Sequence, residues 1–230
     1  DIEDPSFPYG GMKASKKQLE TLFSKLGINN DDTLIIYDDK GLCDAARLWW
    51  VLQYYNFTNI KLLDGGFTTL QKHTISLTNQ PVKIIPTKFT FSSKINKDMY
   101  ASKRQVEAAI KNSNFIIDTR TEDEYLGSIL KKGAFLKGNI PTSKLIDWAN
   151  AINYSGDNKT KSIKELENIY NSLGAKKTDS IYVYCHSGVR SAHTTFVLTQ
   201  LLGYKNVFNY DGSWTEWSYF KNVNTNKNNN

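Results

Sequence analysis

The chain has 230 residues, 40% of them hydrophobic, 13% aromatic and 23% charged, enough for one large domain or two smaller ones with a sizeable core. Its net charge of +6 comes from scattered lysines with no basic stripe interleaved with aromatics, which argues against a nucleic-acid partner and suits small anionic substrates. No apolar run nears the roughly 18 residues of a membrane span, and two cysteines, Cys43 and Cys185, make neither a disulfide framework nor a metal site.

Taken in chain order, the elements occur twice. Shifting the sequence by 147 residues lays Ser15–Thr68 over Ser162–Thr215 without a gap, with about 15 of some 54 positions identical. Each copy opens with an amphipathic helix, "QLETLFSKLG" or "ELENIYNSLG", ended by a glycine cap. A short unbroken apolar run follows, "TLIIYD" or "SIYVYC", the pattern of a buried parallel strand. A glycine-containing turn, a second helix and a second strand ("NIKLLD", "NVFNYD") complete the unit. Alternating strands and helices predict an α/β chain, each copy a mostly parallel sheet flanked by helices.

Ahead of its shared segment the second copy carries a further strand and loop, "NFIIDTRTEDEYLG" with "LKGNIPTSKLIDW". The first copy has no room for the equivalent, so its domain is expected to be incomplete, with truncation as the favoured reason. Residues 1–84 are therefore read as an incomplete first domain, 85–97 as a linker, 98–222 as the second domain and 223–230 as a disordered polar tail.

The chemistry concentrates in "YCHSGVRS". Cys185 is predicted at the C-terminal end of its strand, where open α/β sheets bind ligands. The backbone N–H groups of His186, Ser187, Gly188, Val189 and Arg190 can form an anion nest at the helix start, with Gly188 relieving the turn. Such a nest favours the thiolate, the reactive form of cysteine. Arg190 either adds positive charge at the rim or ties the loop down. The other copy keeps the strand, the glycine (Gly41) and the helix, but has Asp38 in place of the cysteine. Cys43 falls opposite Arg190 and reads as a small buried hydrophobe. Four of the 29 basic residues are arginine, Arg47, Arg104, Arg120 and Arg190, and a planar guanidinium grips anions as lysine does not. Arg120 could reach an anion or pair locally; Asp118 is expected to end its strand near the bowl and fix loop geometry. His186 reads as a rim cation or acid, or as an exposed loop histidine.

"YCHSGVRSAHTTFVLTQLLGYKNVFNYDGSWTEW" resembles the active-site half of two-domain rhodaneses, the thiosulfate and 3-mercaptopyruvate sulfurtransferases. "DTRTEDEYLG" resembles their D-x-R strand, and "YDDKGLCDAARLWWVLQYYNFTNIKLLDGGF" their inactive first domain. The resemblance covers nearly the whole chain. It implies that Cys185 takes the outer sulfur of thiosulfate as a persulfide, held by the loop amides, and passes it to cyanide or a thiol, with no metal or organic cofactor. The loop departs from the thiosulfate pattern at Ser187, where a cation is frequent, and shares Ser187, Gly188 and Val189 with the mercaptopyruvate pattern. Glu124 and Asn139 replace an arginine and a histidine of other members. Two rival readings stand beside it: a phosphatase or arsenate reductase of the same fold, and a non-catalytic binding module. Cys185 to Arg190 is C-x4-R, one residue shorter than a phosphate loop. A monomer is expected, cytoplasmic, or periplasmic if a signal peptide precedes residue 1.

Overall fold

The computed structural model describes residues 2–73 and 76–228. Helix α1 (Lys16–Lys25) starts at a capping box in which Ser15 and Gln18 satisfy each other's backbone amides. Strand β1 (Leu34–Ile36), helix α2 (Cys43–Tyr54), strand β2 (Ile60–Leu62) and the short α3 (Gly66–Gln71) follow. The two strands pair in parallel, Leu34 opposite Ile60. Residues 76–99 carry no helix or strand, and the segment expected as a linker lies here. It is not a free connector. The Phe89 amide donates to Ser24 Oγ and the Phe91 amide to Glu20 Oε1, both on α1. Phe89 and Phe91 are buried in the core of the first half against Phe23.

The second half runs β3 (Tyr100–Ala101), α4 (Lys103–Lys111), β4 (Phe115–Asp118), α5 (Glu122–Leu126), β5 (Lys144–Leu145), a 3-10 turn at Trp148–Ala151, α6 (Ile163–Asn171), β6 (Ser180–Tyr184), α7 (Val189–Phe196), β7 (Asn206–Tyr210) and α8 (Ser213–Asn228). Its five strands form one parallel sheet in the order β3-β7-β6-β4-β5. Strand β6 is central, with Ile181 and Val183 buried. Both faces are covered, one by α6 and α7 over Ile117, Val183 and Val207, the other by α4 and α8 over Ile116, Tyr184 and Tyr210.

The repeat is visible in the structure. Ser162 and Glu165 form a capping box 147 residues after that of Ser15 and Gln18. Gly41 and Gly188 have φ of 76° and 78°, the left-handed region that glycine enters without a Cβ penalty. The two helices that follow them pack on each other across the halves, Trp49 edge-on to Phe196 at 5.2 Å. Ala192 of α7 is buried in the core of the first half.

Two expectations change. The helix after Cys185 widens into a π turn at Val197–Leu201. Thr195 and Thr199 back-bond to the carbonyls four residues earlier, a habit that bends helices. The tail expected to be disordered from 223 is helical to Asn228, because α8 is anchored by buried Trp214 and Trp217 and each further residue adds a hydrogen bond to a helix already nucleated. Asn229 and Asn230 lie outside the described residues. Among the described residues no helix is long and apolar enough to cross a membrane.

His193 on α7 is fully buried against Trp148, at 5.3 Å, and neither ring nitrogen has a partner among the described residues. Burial pushes its imidazole down to about 4. The folded pKa lies below the unfolded one, so stability is complete above the unfolded value and is lost as pH falls through about 6.5 toward 4. Urea unfolding at pH 7 and pH 5 should show a loss of about 2 kcal/mol from this group alone. The loss should be smaller by that amount in His193→Leu; an identical loss in the variant would contradict the assignment.

Candidate active site

Strand β6 delivers Cys185 to the C-terminal edge of the sheet, and the turn Cys185–Gly188 leads directly into α7. The turn is fixed from below. The Cys185 amide donates to Ser213 Oγ, and the Trp214 and Thr215 amides at the start of α8 donate to the carbonyls of Cys185 and His186. Gly188 leaves no room for a side chain: a Cβ would lie 2.5 Å from the Asp211 carbonyl.

Cys185 is 1% exposed. Burial pushes its thiol up, but the Arg190 charge, the Ser191 hydroxyl and the amides of Ser191 and Ser187 overcome that, and the thiol lies below its ordinary value. The Ser191 hydroxyl donates to Cys185 Sγ at 3.5 Å. Cys43 goes the other way: burial, with Cys185 nearby, pushes its thiol well up.

The twin turn shows what the loop is shaped to hold. Asp38, 147 residues before Cys185, receives the amides of Lys40 (2.8 Å) and Leu42 (2.9 Å) on Oδ1 and of Ala45 (2.7 Å) on Oδ2. These positions correspond to Ser187, Val189 and Ala192 in the second copy. The same backbone cradle thus surrounds a carboxylate in one half and a sulfur in the other.

Arg190 is gripped from outside the loop. Its two Nη atoms donate to Glu124 Oε2 and Oε1 at 2.7 and 2.8 Å, a fork-to-fork pair. Burial opposes the Glu124 charge, yet Arg190 outweighs it and holds the carboxyl at about 2. Lys131 stands 3.7 Å from the same carboxylate. Glu124 is therefore the partner that tethers the loop arginine, a contact the sequence left unmatched because the two residues are 66 apart.

The remaining candidates fall into a supporting layer. Asp118 is fully buried and accepts from the Tyr184 hydroxyl (2.5 Å) and from Arg120 through Nε and Nη2. Arg120 also donates to the Gly138 carbonyl and lies 4.7 Å from the Trp214 ring. Its donors serve the protein, and it is 2% exposed. His186 is not the rim cation expected. It is buried, its Nε2 donates to the Lys132 carbonyl at 3.0 Å, and burial with nearby Lys131 pushes it down to about 4. The imidazole is neutral at pH 7, with Nδ1 unpartnered among the described residues. No group of three or more metal-ligating His, Cys, Asp or Glu side chains occurs among the described residues.

A cavity of about 270 Å³ adjoins the loop, lined by Glu3, Gly11, Asp44, Arg47, Ser187 and Val189. It lies between the halves and under the strap that precedes α1. A larger, open depression of about 860 Å³ over α1 touches neither cysteine nor any residue of the Cys185 loop.

The family described as Rhodanese-like domain matches residues 2–73 and 102–219. The chain belongs to the rhodanese-like family. Among its relatives, the sulfur carrier protein TtuD of Thermus thermophilus is 34% identical over 212 residues, 88% of this chain and 74% of that protein. A Mycobacterium bovis protein provisionally named thiosulfate sulfurtransferase 1 is 37% identical over 207 residues, 87% of this chain and 73% of its own. Of solved structures, the Saccharomyces cerevisiae Tum1 protein superposes with a TM-score of 0.83 at 21% identity, covering 95% of this chain and 77% of that one, which shows the fold. SseA from Escherichia coli, a structure titled for 3-mercaptopyruvate sulfotransferases, gives 0.77 at 25% identity, covering 93% and 78%. This rhodanese-fold protein is a sulfurtransferase, which takes sulfur from a donor and hands it to an acceptor.

Removing one donor from the sulfur should be measurable. In Ser191→Ala the pH midpoint of Cys185 alkylation by iodoacetamide, read by peptide mass, should rise by about one unit, the worth of a hydrogen bond to a charged group. An unmoved midpoint would show that Ser191 does not hold the thiolate.

Proposed function

We propose that this rhodanese-like protein moves the outer sulfur of thiosulfate to a thiophilic acceptor through a persulfide on Cys185. The observation that carries this reading is the twin turn: three amides hold the Asp38 carboxylate where the second copy places Cys185. A loop shaped around an anion favours a thiolate, and a thiolate is the nucleophile that sulfur transfer needs.

The Cys185 thiolate attacks the outer sulfur of thiosulfate. A new S–S bond forms, the donor's sulfur–sulfur bond breaks, and its electron pair leaves with sulfite. The persulfide keeps one negative charge, which the loop amides and the helix N-terminus face. An acceptor thiolate, or cyanide, then attacks the terminal sulfur and releases Cys185 as thiolate. This is two-step covalent catalysis with ping-pong kinetics.

Arg190 acts here through charge rather than by gripping the donor, since both of its Nη atoms are engaged by Glu124. The same engagement weighs against the phosphatase reading, which needs a free arginine fork for phosphate oxygens. The donor 3-mercaptopyruvate is the second reading, favoured by Ser187-Gly188-Val189 and by the likeness to SseA.

Thiosulfate treatment followed by mass spectrometry should add about 32 Da, one sulfur, to the Cys185 peptide. Cyanide should remove it as thiocyanate, and Cys185→Ser should abolish both steps. Hydrolysis of p-nitrophenyl phosphate with no sulfur uptake would replace this reading with the phosphatase one. A folded protein that does neither would be a binding module. Uptake from 3-mercaptopyruvate but not thiosulfate would reassign the donor.

A further inference from the structure

Arg47 belongs to the half whose turn has no cysteine, yet it reaches the cysteine's loop. It lies on α2, is 3% exposed, and its corresponding residue in the second copy is Thr194. Its Nη2 donates to Asp211 Oδ1 and to the Gly11 carbonyl, each at 2.7 Å. Its Nη1 points at the Gly188 carbonyl at 3.4 Å, and Asn209 Nδ2 donates to the same oxygen at 3.2 Å. Trp50 lies under the guanidinium at 5.0 Å. One side chain therefore joins the strap before α1, the turn after β7 and the glycine of the Cys185 loop.

The Gly188 contact has a directional consequence. In a trans peptide unit the C=O and the following N–H point opposite ways, and no cis peptide occurs among the described residues. Holding the Gly188 oxygen toward Arg47 turns the Val189 N–H away from it. Val189 is the first residue of α7, so its amide has no partner within the helix. The twin turn shows where such an amide goes: Leu42, which corresponds to Val189, donates to Asp38 Oδ1 at 2.9 Å. The amides engaged with Cys185 Sγ include those of Ser187 and Ser191, and the Leu42 precedent gives the Val189 amide to an atom beyond Sγ, where a second sulfur would sit.

We infer that Arg47 is a positioning residue for sulfur transfer: it turns the Gly188–Val189 peptide so that the Val189 N–H meets the terminal sulfur of the Cys185 persulfide. This rests on Cys185 as the sulfur carrier. The first half thereby contributes to the reaction without touching the sulfur. Because the effect falls on the added sulfur and not on the thiol, persulfide formation depends on Arg47 while reactivity of the bare thiolate does not.

The test compares two rates on Cys185 in the full chain: sulfur uptake from thiosulfate under single-turnover conditions, and alkylation by iodoacetamide across pH. In Arg47→Gln uptake should slow about tenfold, the worth of one hydrogen bond to a charged group, with the alkylation profile unchanged. Arg47→Lys keeps the charge and one donor and should recover part of the rate. Val51→Ala, a truncation in the buried core one turn along α2, should lower stability and leave both rates as they are. Uptake within about twofold of wild type in Arg47→Gln would overturn the inference, as would an equal slowing of uptake and alkylation, or the same slowing in Val51→Ala. If Arg47→Gln does not fold, Arg47→Lys is judged by the same two rates, a uptake deficit of about threefold without an alkylation change supporting the inference and no deficit overturning it. Wild-type protein that alkylates at Cys185 but takes up no sulfur would instead overturn the Cys185 reading, and this inference with it.

Discussion

A sulfur shut away from water can carry negative charge only if the protein meets that charge, and the groups around Cys185 are arranged to meet it. Strand β6 places the residue where backbone amides converge, and Gly188 supplies the left-handed turn that lets them converge. Ser191 adds a hydroxyl, and Arg190 adds a cation. A cation in so dry a place needs its own partner, and Glu124 provides it with a bidentate pair. The layers behind, Asp118 with Arg120 and Tyr184, fix the strand end and the loop at Gly138.

The two halves are variations on one turn. In the first, the anion is permanent: the Asp38 carboxylate fills the cradle and can exchange nothing. In the second, the cradle surrounds the Cys185 sulfur, which in the proposed reaction forms and breaks a bond to another sulfur. The first half is still part of the site. Its strap lies on the loop, with the Gly11 backbone against Ser187, and Arg47 links it to Asp211 and Gly188. The packing of α2 on α7 makes this possible, because it brings the two turns to the same side of the interface.

What could be read in the sequence was local. The helix-ending glycines Gly27 and Gly174, the glycine turns at Gly41 and Gly188 and the strand before each turn are set within a few residues, so the repeat and the place of Cys185 at its strand end were legible. What could not be read depends on residues far apart in the chain. Glu124 stood out as a departure, but its hold on Arg190 spans 66 positions. Arg47 stood out only as a rare arginine; its reach to Gly188 spans 141. His186 looked exposed because loops usually are, and the segment carrying Lys132 buries it. Phe89 and Phe91 read as linker because an extended segment has no helical period, although α1 receives both.

The most direct test is a crystal structure of the protein after thiosulfate treatment. The account predicts one added sulfur on Cys185, its terminal atom within hydrogen-bond distance of the Val189 amide, with Arg190 still on Glu124 and Cys43 unmodified. A sulfur that swings out of the loop toward solvent, an Arg190 that leaves Glu124 to bind the donor, or modification at Cys43 instead would contradict it.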